Sequence, residues 1–119
     1  MNVVDSSGWL EYFADTDRAD LFTEAIEDID RLIVPSICIY EVYKKVLRDR
    51  GDDMAIKVFS LMNLGCVVDF DSSLALEAAR HPLPLADSII YSTSLRFGAI
   101  LWTQDSHFEH IQGVRYFPK

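Results

Sequence analysis

Val3-Val4-Asp5-Ser6-Ser7 decides how the rest of the chain is read. A short apolar run stops at an acid, and two small hydroxyl residues suited to helix entry follow. Leu32-Ile33-Val34, Cys66-Val67-Val68 and Ala99-Ile100-Leu101-Trp102 repeat the apolar run, and longer segments of helical period separate them. Brief, continuously apolar runs alternating with helices are the pattern of parallel strands covered on both faces. The class is therefore α/β.

Between the first two runs, residues 7 to 29 have helical period but break near Asp15-Thr16-Asp17, which predicts two helices. Pro35-Ser36 opens a helix over 36–50 that Gly51 closes, and the next, over 52–64, starts on Asp52-Asp53 and stops at Gly65. Asp71-Ser72-Ser73 begins a helix that ends near His81, because Pro82 and Pro84 interrupt the pattern; Pro84 opens the last long helix, to about Phe97. A helical turn over 105–110 and an edge strand at Val114-Arg115-Tyr116-Phe117 complete the reading.

The 119 residues, half of them hydrophobic, suffice for one domain, residues 1–119, with a real core. Eleven basic against 19 acidic residues give a formal net charge of -8, which excludes a protein that coats nucleic acid through a generally basic surface. No apolar run reaches the roughly 20 residues that span a bilayer, and the first residues lack a signal-peptide pattern, so a cytoplasmic location without membrane association is expected. Cys38 and Cys66 lie within apolar stretches and are expected in the core.

Four acids fall at comparable places. Asp5 ends the first strand, where open α/β sheets place their ligand sites, although it also suits a helix N-cap. Glu41 lies in the second turn of the helix after the second strand. With Lys44, Lys45 and Arg48 it is spaced i, i+3, i+4, i+7 on one face, a pattern a solvated helix would also show. Asp87 sits in the first turn of the helix opened by Pro84, where the helix dipole favours a carboxylate; Leu85, Ala86, Ile89 and Ile90 suggest that it is buried, yet the sequence offers few local cations to compensate it. Asp105 follows the fourth strand and could cap the short turn holding His107 and Phe108. Each acid alone has a structural explanation. Four at one sheet edge need more, because close carboxylates ionise together cheaply only around a cation. All-oxygen ligation suits Mg²⁺ or Mn²⁺, ions able to activate water and stabilise charge on a phosphodiester.

The ordered pieces Val3-Val4-Asp5-Ser6-Ser7, Pro35-Ser36 with Glu41, Leu85-Ala86-Asp87-Ser88-Ile89-Ile90 and Leu101-Trp102-Thr103-Gln104-Asp105-Ser106-His107-Phe108 resemble the PIN-domain nucleases, most of all VapC-type ribonuclease toxins. The resemblance implies a three-layer α/β/α sandwich with a central, mostly parallel sheet. It implies metal-dependent cleavage of RNA, a homodimer and a cognate antitoxin. Asp5, Glu41, Asp87 and Asp105 would form the acidic pocket for one or two divalent ions, with Ser6 and Thr103 in support. Non-toxin PIN nucleases that process RNA or cut DNA, and an inactive RNA- or protein-binding module, are the alternative readings. The chain departs from the pattern in its shortness before Asp87 and in carrying His107 where many relatives have a further acid, which leaves a second metal site open.

Charge is polarised along the chain. Lys44, Lys45, Arg48, Arg50 and Lys57 cluster, whereas residues 1 to 30 hold nine acids and one base, Arg18. Lys44, Lys45 and Arg48 are thus the candidate ridge for an RNA backbone beside Glu41. Trp9, Leu10, Tyr12, Phe13, Leu21, Phe22 and Ile26 are read mainly as core, with some available to a dimer or antitoxin groove.

Overall fold

The computed structural model describes residues 1–119. In chain order the elements are β1 (Asn2–Val4), α1 (Ser6–Ala14), α2 (Asp20–Glu27), β2 (Leu32–Pro35), α3 (Ser36–Arg50), α4 (Asp52–Met62), β3 (Cys66–Val68), α5 (Ser72–Ala78), α6 (Leu85–Arg96), β4 (Ile100–Thr103) and β5 (Val114–Tyr116). Single 3₁₀ turns stand at Ile29–Arg31 and Ser106–Phe108. The five strands form one sheet of order β3-β2-β1-β4-β5, and every neighbouring pair is parallel.

That order dictates where ligands belong. From β1 the chain steps through β2 to β3 on one side, then returns to place β4 on the other side of β1. Right-handed crossovers put the helices of these two excursions on opposite faces of the sheet. The reversal leaves a crevice outside the carboxyl ends of β1 and β4, the switch point of an open α/β sheet. Asp5 follows β1 directly, and Asp105 lies two residues beyond β4.

Strands β1 and β2 are buried almost throughout, as their unbroken apolar runs require. Around them Trp9, Phe22, Cys38, Val42, Met62, Leu101 and Phe108 join one core cluster, each large side chain contributing on the order of 1.5–3 kcal/mol through burial. Helix α6 is unusual in burying Ser88, Ser92, Thr93 and Ser94. Three of these hydroxyls donate to carbonyls of their own helix, Ser88 to Leu85, Thr93 to Ile89 and Ser94 to Tyr91, so small residues give close packing at little polar cost.

One expectation changes. Cys66 is exposed, because strand order puts β3 at the sheet edge, while Cys38 is buried as expected. Among the apolar residues of the early helices, Trp9, Phe22 and Ile26 are buried, and Leu10, Tyr12, Phe13 and Leu21 pack against the core. A further apolar surface lies on α3 and α4: Ile39, Tyr40, Tyr43, Leu47, Ile56 and Phe59 line an open groove of about 670 Å³, with Lys44 at its rim.

Gly8 marks the tightest contact of α1 with the core. A Cβ there would stand 2.7 Å from Phe22 Cδ1 and 2.8 Å from Val4 Cγ1. Gly8→Ala should therefore destabilise the fold by about 1–3 kcal/mol, read as a lower midpoint in urea unfolding; an unchanged midpoint would mean that this contact relaxes freely.

Candidate metal centre at the sheet edge

Asp5 is the best-buried member of the site, 5 % exposed. It caps α1: its Oδ1 accepts from the Ser6 backbone N–H at 2.7 Å. Its Oδ2 accepts from the Thr103 hydroxyl, also at 2.7 Å. The adjacent strands thus hold both carboxylate oxygens, one from β1's own exit and one from the last residue of β4. Burial pushes the Asp5 carboxyl up to about 6; the Thr103 hydrogen bond opposes this, and the negative charge of Asp87 adds to it.

Glu41 joins through Ser6, whose hydroxyl donates to Glu41 Oε1 at 2.7 Å. Asp105 joins through Thr103, whose Oγ1 accepts from the Asp105 backbone N–H at 3.0 Å. Ser6 and Thr103, expected as supporting residues, are therefore the two connectors of the cluster. Asp87 enters from the first turn of α6. Its carboxyl lies above the usual carboxylate range, chiefly through burial and then through the charge of Asp105, with Glu41 contributing further. Asp5, Glu41, Asp87 and Asp105, remote in sequence, form one electrostatically coupled group.

His107 is the residue that sequence reasoning left out of this group. Its Nδ1 lies 2.9 Å from Asp87 Oδ2 and 3.1 Å from Asp105 Oδ1. The Asp87 hydrogen bond, reinforced by Asp105, raises its pKa above the usual histidine value. It supplies the partner that Asp87 lacks locally. The available signal was its position two residues after Asp105, in the place where the resemblance puts a further acid.

The candidate basic ridge stays apart from the acids. Lys45 donates to Asp49 Oδ2 at 3.2 Å and Arg48 to Asp49 Oδ1 at 3.0 Å, which holds the Asp49 carboxyl below its usual range. Lys44 donates instead to the Tyr40 hydroxyl at 3.2 Å and lies over the same ring. These side chains are exposed, so the ion pairs contribute little and remain open to exchange for a phosphate.

The donor set suits a hard dication. Buried or half-buried carboxylates that raise one another's pKa are destabilised as anions, and a divalent ion between them reverses that penalty.

Because the folded-state pKa of Asp5 exceeds its unfolded value, its contribution to stability is present at low pH and is lost as pH rises through about 6. Asp5→Asn removes the buried charge. The variant should be more stable than the parent chain at pH 7.5 in metal-free buffer, by at most about 3 kcal/mol, and the gain should vanish near pH 4. Urea unfolding of both proteins at the two pH values checks this; a less stable variant at pH 7.5 contradicts it.

The family model for the PIN domain matches residues 3–114. No curated protein matches the sequence. Among solved structures, the chain is similar to one in a toxin–antitoxin complex from Klebsiella pneumoniae, with TM-score 0.81 and 17 % identity over 97 % of this chain and 96 % of that one. A chain of DNA-bound VapBC from Salmonella typhimurium gives 0.75 and 16 %, covering 98 % and 96 %. VapC20 of Mycobacterium tuberculosis, a toxin that cleaves the sarcin–ricin loop, gives 0.68 and 14 % over 83 % and 85 %. At these identities the structural matches speak for the fold alone, while the family model spans nearly the whole sequence: this chain belongs to the PIN domain family.

Proposed function

We propose that the protein is a Mg²⁺- or Mn²⁺-dependent endoribonuclease, the toxin of a toxin–antitoxin pair, which hydrolyses RNA phosphodiesters at the acidic cluster. The observation that carries this reading is the linked constellation of Asp5, Glu41, Asp87 and Asp105 at the switch point of a PIN-domain sheet. These four side chains would hold the ion or ions. When bound, the ion supplies Lewis-acid stabilisation of the phosphoryl oxygens and a water acidified enough to attack.

The protein's own part is positioning. Thr103 and Ser6 donate to Asp5 and Glu41, which leaves remaining carboxylate lone pairs for metal or water and fixes the ligands before substrate arrives. Lys44, Lys45 and Arg48, two turns or less beyond Glu41 on α3, are the proposed contacts for the RNA backbone. The matched toxin–antitoxin complexes support an antitoxin partner for this chain, and the apolar groove of α3 and α4 offers a surface for a protein partner, whether antitoxin or second copy. No helix is long and apolar enough to cross a membrane.

Purified protein should cut structured RNA with Mg²⁺ or Mn²⁺ and stop when the ion is chelated. Asp5→Asn and Asp87→Asn should each slow cleavage at least about 100-fold with unchanged circular dichroism. Full activity in both variants removes the metal mechanism, RNA bound but left intact identifies a binding module, and cleavage of DNA alone identifies another nuclease class. Growth arrest on expression alone, relieved by the product of the neighbouring reading frame, tests the toxin assignment.

A further inference from the structure

Asp87, Asp105 and His107 each offer one atom able to ligate a metal ion, and these atoms lie within 4.8 Å of one another. The two distances from His107 Nδ1, 2.9 Å to Asp87 Oδ2 and 3.1 Å to Asp105 Oδ1, are informative. Neighbouring ligands on an octahedral ion with bonds near 2.1 Å stand about 3 Å apart. The ring is held in that place by backbone. The His107 N–H donates to Asp105 Oδ1 at 2.9 Å, and the next residue, Phe108, is buried in the core. The side chain is 55 % exposed, so solvent reaches the ring while Nδ1 faces the carboxylates.

We propose that His107 is a nitrogen ligand of the divalent ion, and that it tilts the site's preference from Mg²⁺ towards Mn²⁺. This inference rests on the metal-nuclease reading above. With a dication between the three atoms, the neutral ring carries its proton on Nε2 and turns the Nδ1 lone pair to the metal. Mg²⁺ strongly prefers oxygen donors, whereas imidazole is a common ligand for first-row transition ions. An acid at the same place would restore an all-oxygen site. The histidine thereby makes a departure from the family pattern into a determinant of metal choice.

The test is pulsed electron paramagnetic resonance of the full chain loaded with Mn²⁺. The parent protein should show ¹⁴N modulation from a directly bound imidazole. His107→Asp should bind Mn²⁺, lose the ¹⁴N modulation, and lower the Mn²⁺-to-Mg²⁺ affinity ratio about tenfold in competition titrations; His107→Gln should also lose the modulation. Bound Mn²⁺ without ¹⁴N modulation in the parent, or modulation that survives in both variants, overturns the histidine assignment and leaves the carboxylate site standing. Failure of the parent to bind Mn²⁺ at all overturns the metal reading itself.

Discussion

Mutual repulsion among carboxylates at the carboxyl edge of the sheet is the constraint around which this molecule is organised. The core strands bring Asp5 and Asp105 to the crevice beside the β1–β4 pair, and α6 delivers Asp87 to them. None of these acids has a lysine or arginine partner in the site. Their compensation comes from hydroxyls, backbone N–H groups and one imidazole. Hydrogen bonds of this kind orient an anion without neutralising it, so the cluster remains hungry for positive charge. The apolar packing of Trp9, Phe22, Phe108 and their neighbours supplies the stability that makes such an arrangement tolerable.

The architecture was legible because its signals are local. Apolar runs of three or four residues, proline at helix starts and glycine at helix ends fixed the alternation of elements, and the edge strand Val114–Tyr116 stands where its composition suggested. Two helices end sooner than their periodicity suggests, Met62 closing α4 and Ala78 closing α5, while α3 spans Ser36–Arg50 as expected. The grouping of the four acids was legible for a related reason: Asp5 and Asp105 follow the carboxyl ends of strands, Glu41 lies in the helix that follows β2, and Asp87, which no strand precedes directly, is brought in by the first turn of α6.

What stayed hidden depends on distance across the fold. Twenty residues separate Asp87 from His107, and only the 3₁₀ turn pinned by Asp105 and the buried Phe108 brings the ring back to α6. Cys66 looked like core because its neighbours are apolar, but burial of a strand depends on its place in the sheet, and β3 is an edge. The network around Arg18 is similar. Its guanidinium reaches Gln104 Oε1 at 2.5 Å and the Phe117 carbonyl at 3.1 Å, tying the α1–α2 turn to the exit of β4 and to the C-terminal tail. Nothing adjacent to Arg18 in sequence announces those partners.

The long-range charge pattern sharpens the same argument. The proposed function asks a chain of net charge -8 to receive a polyanion at an acidic crevice. The basic cluster is too small to reverse the global field, and two of the three α3 cations nearest Glu41 share Asp49. Screening shortens that field to about 8–10 Å at physiological salt, so local charge decides the approach. Hydroxyls and N–H dipoles leave the formal charge of the acids unchanged, and a protonated imidazole removes at most one unit of it. A bound dication would remove two at the point where the proposed substrate's phosphate would arrive. In the proposed function the ion is thus as much a condition for bringing substrate to the crevice as for the chemistry there, and the balance of charges supports that proposal as the clustering of the acids does.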